Sequence, residues 1–210
     1  MRKLICCMTA FVCLFSAGST LADENDILIF VRDDSRNLEL MLEEEVLVIK
    51  AMLEAEGFDV DIATVDGKDL VAEGVSVSVD HKIADVSMDD YGGIALPCMA
   101  PPPGSALERT VVGLVAEAAA SAKPVAASRG AVGFLAEAGV LEGKRFAYAS
   151  PVDVDDRPSF RGATFTGTGT ERDGLVTTNG ICPLASRSLN LPDGTRDMTV
   201  AFIESLKSRD

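Results

Sequence analysis

The polar side chain best placed to do chemistry in this sequence is Ser128, which directly follows the apolar residues 124–127. Gly130 comes two positions later, and an apolar helical pattern then runs to Gly139. A short strand, a sharp turn and a helix, with one polar residue at the bend, are typical of a nucleophile elbow. In an open parallel sheet such a bend lies at the carboxyl edge, where ligands bind. Ser128 is therefore the first candidate for a functional site.

Two cysteines form a second candidate. Cys98 follows the apolar residues 92–97 and Cys182 follows residues 174–180, so each comes after a predicted strand. We expect both thiols at the same sheet edge as Ser128, and Cys182 also precedes a helix start, which lowers a thiol's pKa. We hypothesise that they are near enough for a disulfide or a redox couple. Two unpaired buried cysteines are the alternative, because a sequence does not supply the distance that a bridge requires.

Strands and helices alternate along the segments that must position these side chains. Residues 75–79 alternate between apolar and polar side chains, so we place that strand near a sheet edge. The alternation predicts an α/β fold, a three-layer sandwich whose mostly parallel, flavodoxin-like sheet carries helices on both faces. The predicted strands are 26–31, 58–63, 75–79, 92–96, 124–127, 145–149, 164–170 and 174–178, and the principal helices are 38–56, 105–122 and 195–206, with shorter ones before Gly139 and from Pro183.

The first 22 residues have the layout of a secretory signal. Arg2 and Lys3 precede the apolar residues 4–17, and small residues at 20–22 suit a cleavage site. An uncleaved anchor is the alternative, but the apolar stretch is short for a membrane span. We predict a signal peptide at 1–22 and one domain at 23–210, exported to the periplasm or the extracellular space, with no stable membrane insertion after signal removal.

The charge pattern narrows the classes of partner. The 210 residues carry a formal net charge of −14, and the Lys and Arg residues are scattered without a basic stripe. A nucleic-acid-binding role is therefore not expected. We also expect neither a cofactor nor a metal ion, and a small molecule is the predicted ligand.

Four local patterns together resemble the DJ-1/PfpI family. Residues 123–130 with the sequel at 138–144 are similar to the family's elbow, and residues 90–97 look like the strand and loop before it. Glu45, twelve residues before Gly57, matches the family's acidic position, and residues 173–178 resemble its late strand. The resemblance implies the same sandwich fold, and it implies a homodimer as an option, since members of this family commonly form dimers.

The departures from the family pattern bear on activity. The family's elbow residue is a cysteine, often followed by histidine, and its glutamate hydrogen-bonds the thiol; we align Ser128 and Arg129 with the first two positions. The family's Gly-Gly pair after Leu-Pro, which supplies backbone donors to an oxyanion, is Cys98-Met99 here. The protease-like, glyoxalase-like and deglycase-like reactions of the family depend on the elbow cysteine. The resemblance therefore does not imply them for this chain.

A serine hydroxyl is a poor nucleophile unless a base takes its proton, and an imidazole normally does so. The single histidine, His81, follows the edge-like strand and is interpreted as a surface residue. We therefore expect a domain without the family's catalysis that binds a small anionic ligand or a partner at the elbow. The expected binding residues are Arg129, Gly130, Cys98 and Met99.

Other interpretations stay open at this point. Ser128 could act as the nucleophile of a serine-variant hydrolase or amidase, assisted by Glu45, although a lone carboxylate activates serine weakly. Ser128 could equally be a small residue tolerated at a tight turn, with Arg129 paired to a surface carboxylate. Glu45 lies in a run of three glutamates, so a shift of one residue would select Glu44.

Overall fold

The structure is a computed structural model that describes residues 23–35, 37–99, 104–149 and 157–208. The predicted signal peptide, residues 1–22, lies outside the described residues. None of the helices in the described ranges is both long enough and apolar enough to cross a membrane.

Eleven strands and six α-helices are found in the described residues. The first helical region changes hydrogen-bond pattern along its length, because a π-helical turn at Leu42–Val46 separates α1 from α2. The strands are β1 (Asp23–Phe30), β2 (Asp59–Thr64), β3 (Leu70–Ala72), β4 (Val75–Val77), β5 (His81–Lys82), β6 (Tyr91–Leu96), β7 (Val125–Ser128), β8 (Arg145–Ala147), β9 (Thr164–Gly167), β10 (Thr170–Asp173) and β11 (Val176–Asn179). The helices are α1 (Leu38–Met41), α2 (Leu47–Ala55), α3 (Ala106–Ala120), α4 (Val132–Glu137), α5 (Pro183–Leu189) and α6 (Thr195–Lys207).

Seven strands form the central sheet in the order β10-β11-β7-β6-β1-β2-β5. All neighbouring pairs are parallel except β10 with β11, which are antiparallel. Parallel strands need crossover connections, and helices supply most of them. The predicted α/β sandwich with a mostly parallel, flavodoxin-like sheet is confirmed.

The two faces of this sheet bury separate apolar clusters. Successive side chains of a strand point to opposite faces, and β1 shows this directly. Leu28 and Phe30 pack on the face covered by α3 and α4, whereas Ile27 and Ile29 pack on the face covered by α2 and α6. Helices on both faces explain why the central strands are apolar on both sides rather than alternating.

Three predicted strands lie outside the central sheet. Val75–Val77 pairs antiparallel with Leu70–Ala72 in a separate hairpin, and the edge of the main sheet is His81–Lys82 instead. Gly74, with φ of +86°, makes the tight turn between the two hairpin strands. Alternation of polar and apolar residues shows only that one face is exposed, and a hairpin satisfies that pattern as well as a sheet edge does. β8 likewise pairs with β9 in a two-stranded sheet of its own.

The carboxyl edge of the sheet collects the ends of three neighbouring strands. β6 ends at Leu96, β7 at Ser128 and β11 at Asn179, and the register places Asn179 directly beside Ser128. Cys98 follows β6 by two residues, and Cys182 is the residue before α5. The topology therefore brings Cys98 and Cys182 to the same edge, although the sequence separates them by more than eighty positions.

Candidate functional site

The strained residue of the elbow is Arg129 rather than Ser128. β7 continues through Ser128, whose φ of −106° and ψ of 128° are ordinary extended values, because Ser128 pairs in register with Asn179 of β11. Arg129 then begins a 3₁₀ turn, Arg129–Ala131, with φ of +42°. A non-glycine residue in the left-handed region costs about 1–2 kcal/mol. The backbone strain of this bend is therefore at Arg129. The prediction that Ser128 stands at the bend is corrected by one residue.

Ser128 is fully buried at the end of its strand. Its hydroxyl accepts a long, 3.5 Å hydrogen bond from the Asn179 amide, which also donates to the Ile181 carbonyl at 2.9 Å. His81 lies on the edge strand β5 and hydrogen-bonds Asp61 at 2.9 Å. The base that would activate a serine is therefore not an imidazole. Asn179 is a site residue that the sequence pattern does not predict. An Asn-Gly pair is typical of a turn that ends a strand, so the pattern indicates only a strand break at this position.

Glu45 enters the site from the π-helical turn. Its side chain is fully buried, and Oε2 accepts a 2.9 Å hydrogen bond from the backbone N–H of Cys98. Oε1 has no hydrogen-bond partner among the described residues. Glu43 is exposed, and the half-buried Glu44 pairs with Arg187 on α5, so the structure selects Glu45 from the acidic run. Single π turns inside helices occur often at functional sites.

The environment of Glu45 favours its neutral form. Burial raises the pKa of this carboxyl to about 8, and the negative charge of a Cys182 thiolate and of Asp193 adds to the increase. The Ser128 hydroxyl and the Cys98 N–H act in the opposite direction and offset only part of it. Glu45 is therefore mostly protonated at neutral pH, and a protonated carboxyl donates a hydrogen bond instead of accepting a proton. The sequence does not indicate Asp193 as a site residue, but its charge acts on the Glu45 carboxyl and contributes to the raised pKa.

The two cysteines meet at the site as free thiols. Cys182 is fully buried with Ile181 and Ala185, and the half-buried Cys98 packs against that cluster. A hydrogen bond from the Cys98 thiol is the main cause that lowers the pKa of Cys182 to about 6, helped by the Ala185 N–H and the Arg129 guanidinium. The same partnership and burial raise the pKa of Cys98. The pair therefore holds one proton tightly on Cys98 and releases the other easily from Cys182.

Arg129 and Gly130 lie beside these thiols. The half-buried Arg129 interacts with Cys182, and it forms no ion pair with a carboxylate in the described ranges. The Gly130 N–H points to the Cys98 sulfur. The predicted pairing of Arg129 with a surface carboxylate is thus not found in this part of the chain.

Met99 does not join the site. It is buried in the core cluster between α2 and α6, and its sulfur accepts a 2.7 Å hydrogen bond from the Arg32 backbone N–H. The chain bends at Cys98 directly after β6, and Met99 packs in the core while Cys98 packs against the cluster that contains Cys182. Ligand binding by Met99 stays a prediction, and its burial in the core does not favour it.

No group of three or more His, Cys, Asp or Glu side chains in the described ranges is placed to hold a metal ion.

Comparison with known proteins places this chain within a family. The DJ-1/PfpI family model matches residues 25–183. The chain belongs to the DJ-1/PfpI family. No curated protein matches the chain closely enough to add a function.

Solved structures agree with the DJ-1/PfpI fold. A ThiJ/PfpI domain protein from Brachyspira murdochii is 19% identical with a TM-score of 0.67, over 89% of this chain and 98% of that one. A DJ-1 superfamily protein from Agrobacterium tumefaciens is 22% identical with a TM-score of 0.58, over 88% and 99% of the two chains. DJ-1beta from Drosophila melanogaster is 19% identical with a TM-score of 0.58, over 87% and 94%. These likenesses concern the fold alone.

Proposed function

We propose that this DJ-1/PfpI domain binds a small anionic ligand at its elbow and does not perform elbow-cysteine catalysis. The observation that carries the proposal is Arg129, a permanent cation at the strained turn between β7 and α4. Strained backbone persists where surrounding structure enforces it, and it clusters at functional sites. An arginine fork suits a carboxylate or phosphate, since it offers paired N–H donors.

A second donor favours the same class of ligand. Glu45 is neutral at physiological pH because of its burial, and its Oε1 has no hydrogen-bond partner among the described residues. A protonated carboxyl can donate to an anionic oxygen without repelling it. Arg129 and Glu45 together would therefore complement an oxyanion by one charge and one further hydrogen bond.

The Cys182 thiolate competes with such a ligand for Arg129. Cys182 loses its proton above a pH of about 6, and the guanidinium then faces a thiolate. The other ionisable neighbours, Glu45 and Asp193, also carry more negative charge as the pH rises. We therefore expect anion affinity to increase as the pH falls through 6, because the thiolate is protonated and the guanidinium is released.

The test is titration calorimetry with inorganic phosphate and with malonate at several pH values. We expect Arg129→Gly to weaken binding at least about tenfold through loss of a charge-assisted hydrogen bond, and Arg129→Lys to retain part of the affinity. Glycine adopts positive φ without strain, so Arg129→Gly should stay within about 1 kcal/mol of wild-type stability.

The matched control for that titration is Arg172→Gln, which removes an equal charge from a surface ion pair with Glu204. It should bind like the wild type. Equal affinity in wild type and Arg129→Gly, or affinity that rises with pH, contradicts the proposal.

A serine-variant hydrolase or amidase remains the alternative, and one contact favours it: the Ser128 hydroxyl interacts with the Glu45 carboxyl. Burial of Ser128 and protonation of Glu45 at neutral pH both oppose it, because a neutral carboxyl is not a base. Activated ester and amide probes compared between wild type and Ser128→Ala decide the matter. Turnover that disappears in Ser128→Ala and rises above pH 8 would favour the hydrolase over the binding role.

We further propose that the domain is exported to the periplasm or the extracellular space, on the pattern of residues 1–22. N-terminal sequencing of protein from the native compartment should begin near residue 23. A homodimer is proposed from the family resemblance alone, and light scattering would measure it.

A further inference from the structure

Two thiols from different parts of the chain meet beside the elbow. Cys98 arrives after β6, and Cys182 arrives after β11 and immediately before α5. The half-buried Cys98 packs on the cluster that contains Cys182, and the two side chains are hydrogen-bonded. Both are free in this structure. Two unbonded sulfurs in contact are the starting arrangement of a dithiol–disulfide couple.

The surroundings make the two thiols unequal. Cys182 is held beside the Arg129 guanidinium and the Ala185 N–H, which both stabilise a thiolate. Cys98 keeps its proton beside that thiolate and receives the Gly130 N–H at its sulfur. A thiolate is the nucleophilic form, and a neighbouring thiol can resolve an oxidised product. The site therefore contains an attacking sulfur and a resolving sulfur.

The neighbourhood also contains a proton source and a solvent-facing side. The carboxyl of Glu45 is fully buried, and its Oε1 has no hydrogen-bond partner in the described part of the chain. Cys98, Arg129 and Gly130 are partly exposed, whereas Cys182 is fully buried. Because Cys182 is fully buried, a small polar oxidant reaches it only when the partly exposed residues around it move apart. Both the cation and the acid are suited to an oxygen that becomes negatively charged.

We propose that Cys98 and Cys182 form a dithiol site that reduces hydroperoxides and closes to a Cys98–Cys182 disulfide. The Cys182 sulfur attacks the terminal peroxide oxygen, so an S–O bond forms, the O–O bond breaks, and the leaving oxygen takes a proton to become water or an alcohol. The Cys98 sulfur then attacks Cys182, so an S–S bond forms, the S–O bond breaks, and the departing hydroxide leaves as water with the Cys98 proton. The two thiols lose two electrons and the peroxide gains them. An external dithiol restores the pair by exchange.

This site differs from elbow-cysteine chemistry because neither sulfur belongs to the elbow, where Arg129 stands. It also extends beyond anion binding, which requires no electron transfer. Failure of one proposal leaves the other measurable, because anion binding is recorded with the thiols reduced.

The test treats the reduced full-length chain with one equivalent of hydrogen peroxide, followed by acid quenching and tryptic peptide mapping. We expect a cross-link between the peptides that contain Cys98 and Cys182, reversed by dithiothreitol. In Cys98→Ser the reaction should stop at a Cys182 sulfenic acid that dimedone traps. In Cys182→Ser peroxide consumption at pH 7 should slow about tenfold or more, because ordinary thiols are only a few per cent ionised there.

The remaining cysteines serve as internal controls. Cys6, Cys7 and Cys13 lie in residues 1–22, outside the described part of the chain, and their peptides should be oxidised more slowly than the pair. Circular dichroism checks that each variant is folded, and Cys98→Ala provides a second resolving-thiol variant if Cys98→Ser is not. Cross-links that involve Cys6, Cys7 or Cys13 instead, or wild-type peroxide consumption in Cys182→Ser, would overturn the proposal.

Discussion

Replacing Glu45 with glutamine should stabilise the protein relative to wild type by an amount that grows as the pH rises from about 4.5 to about 8. The carboxyl titrates near 4.5 when unfolded, and burial raises its pKa to about 8 in the folded protein. Between those pH values the folded protein holds a proton that the unfolded chain has lost. This carboxyl by itself therefore lowers the free energy of unfolding by about 1.4 kcal/mol per pH unit, a loss on the order of 5 kcal/mol over the window.

Glutamine mimics the neutral acid and does not titrate. Its side-chain oxygen can still accept the hydrogen bond from the Cys98 N–H. The stability that the neutral Glu45 contributes is complete below pH 4.5 and is lost as the pH rises through 8, so the two proteins should be similar in acid and diverge above it. Urea unfolding at closely spaced pH values measures the difference.

The Cys182 thiol contributes with the opposite sign. Its folded pKa is lowered from 9 to about 6, so its stabilising effect is full above pH 9 and is lost as the pH falls to 6. In wild type the two effects on the free energy of unfolding offset each other between pH 6 and 8. As the pH rises, this free energy therefore decreases below pH 6 and increases again above pH 8. The Glu45→Gln variant should show only the increase in the free energy of unfolding that the Cys182 thiol contributes.

The control for Glu45→Gln is Glu43→Gln, an exposed position on the same turn. Surface substitutions usually change stability by no more than about 0.5 kcal/mol, so this variant should follow wild type. Parallel pH profiles for wild type and Glu45→Gln would contradict the raised pKa of the buried carboxyl.

Gly180→Ala should destabilise the domain by about 3 kcal/mol, since overpacking against rigid neighbours is costly. A Cβ at this position would lie 2.4 Å from the Tyr148 carbonyl oxygen and 2.7 Å from that of Thr168. Both obstacles are backbone atoms, and the Gly180 N–H is bonded to the Gly169 carbonyl at 3.2 Å. The loop that carries Ile181 and Cys182 must move, so the site should be disturbed together with stability.

Gly113→Ala is the matched control for that substitution. Gly113 lies inside α3, where a Cβ would meet nothing within 4 Å, and alanine favours helix over glycine by about 0.5–1 kcal/mol. Thermal unfolding should therefore show a lower Tm for Gly180→Ala and a slightly higher Tm for Gly113→Ala. Equal Tm values for the two variants would contradict the close packing around Gly180.

The strand, turn and helix around residue 128 could be predicted from the sequence because their signals are local. An apolar run, a small residue two positions after it and a helical pattern closing on Gly139 depend on neighbouring residues only. The same holds for the α/β alternation and for the placement of Cys98 and Cys182 after strands. Parallel topology then implies a shared carboxyl edge, which is how two distant cysteines could be predicted to lie together.

Tertiary structure alone decided the register at the site. Pairing with Asn179 extends β7 through Ser128 and moves the strained bend to Arg129, and no local signal fixes the residue at which strand pairing stops. The π turn rotates the helix so that Glu45, instead of Glu44, is buried. Met99 turns into the core while Cys98 faces the site, because chain direction after β6 depends on what α2 and α6 leave open. The sequence by itself shows which ionisable side chains are present. The pKa values of Glu45 and Cys182, however, depend on burial and on partners that come together only in the folded chain.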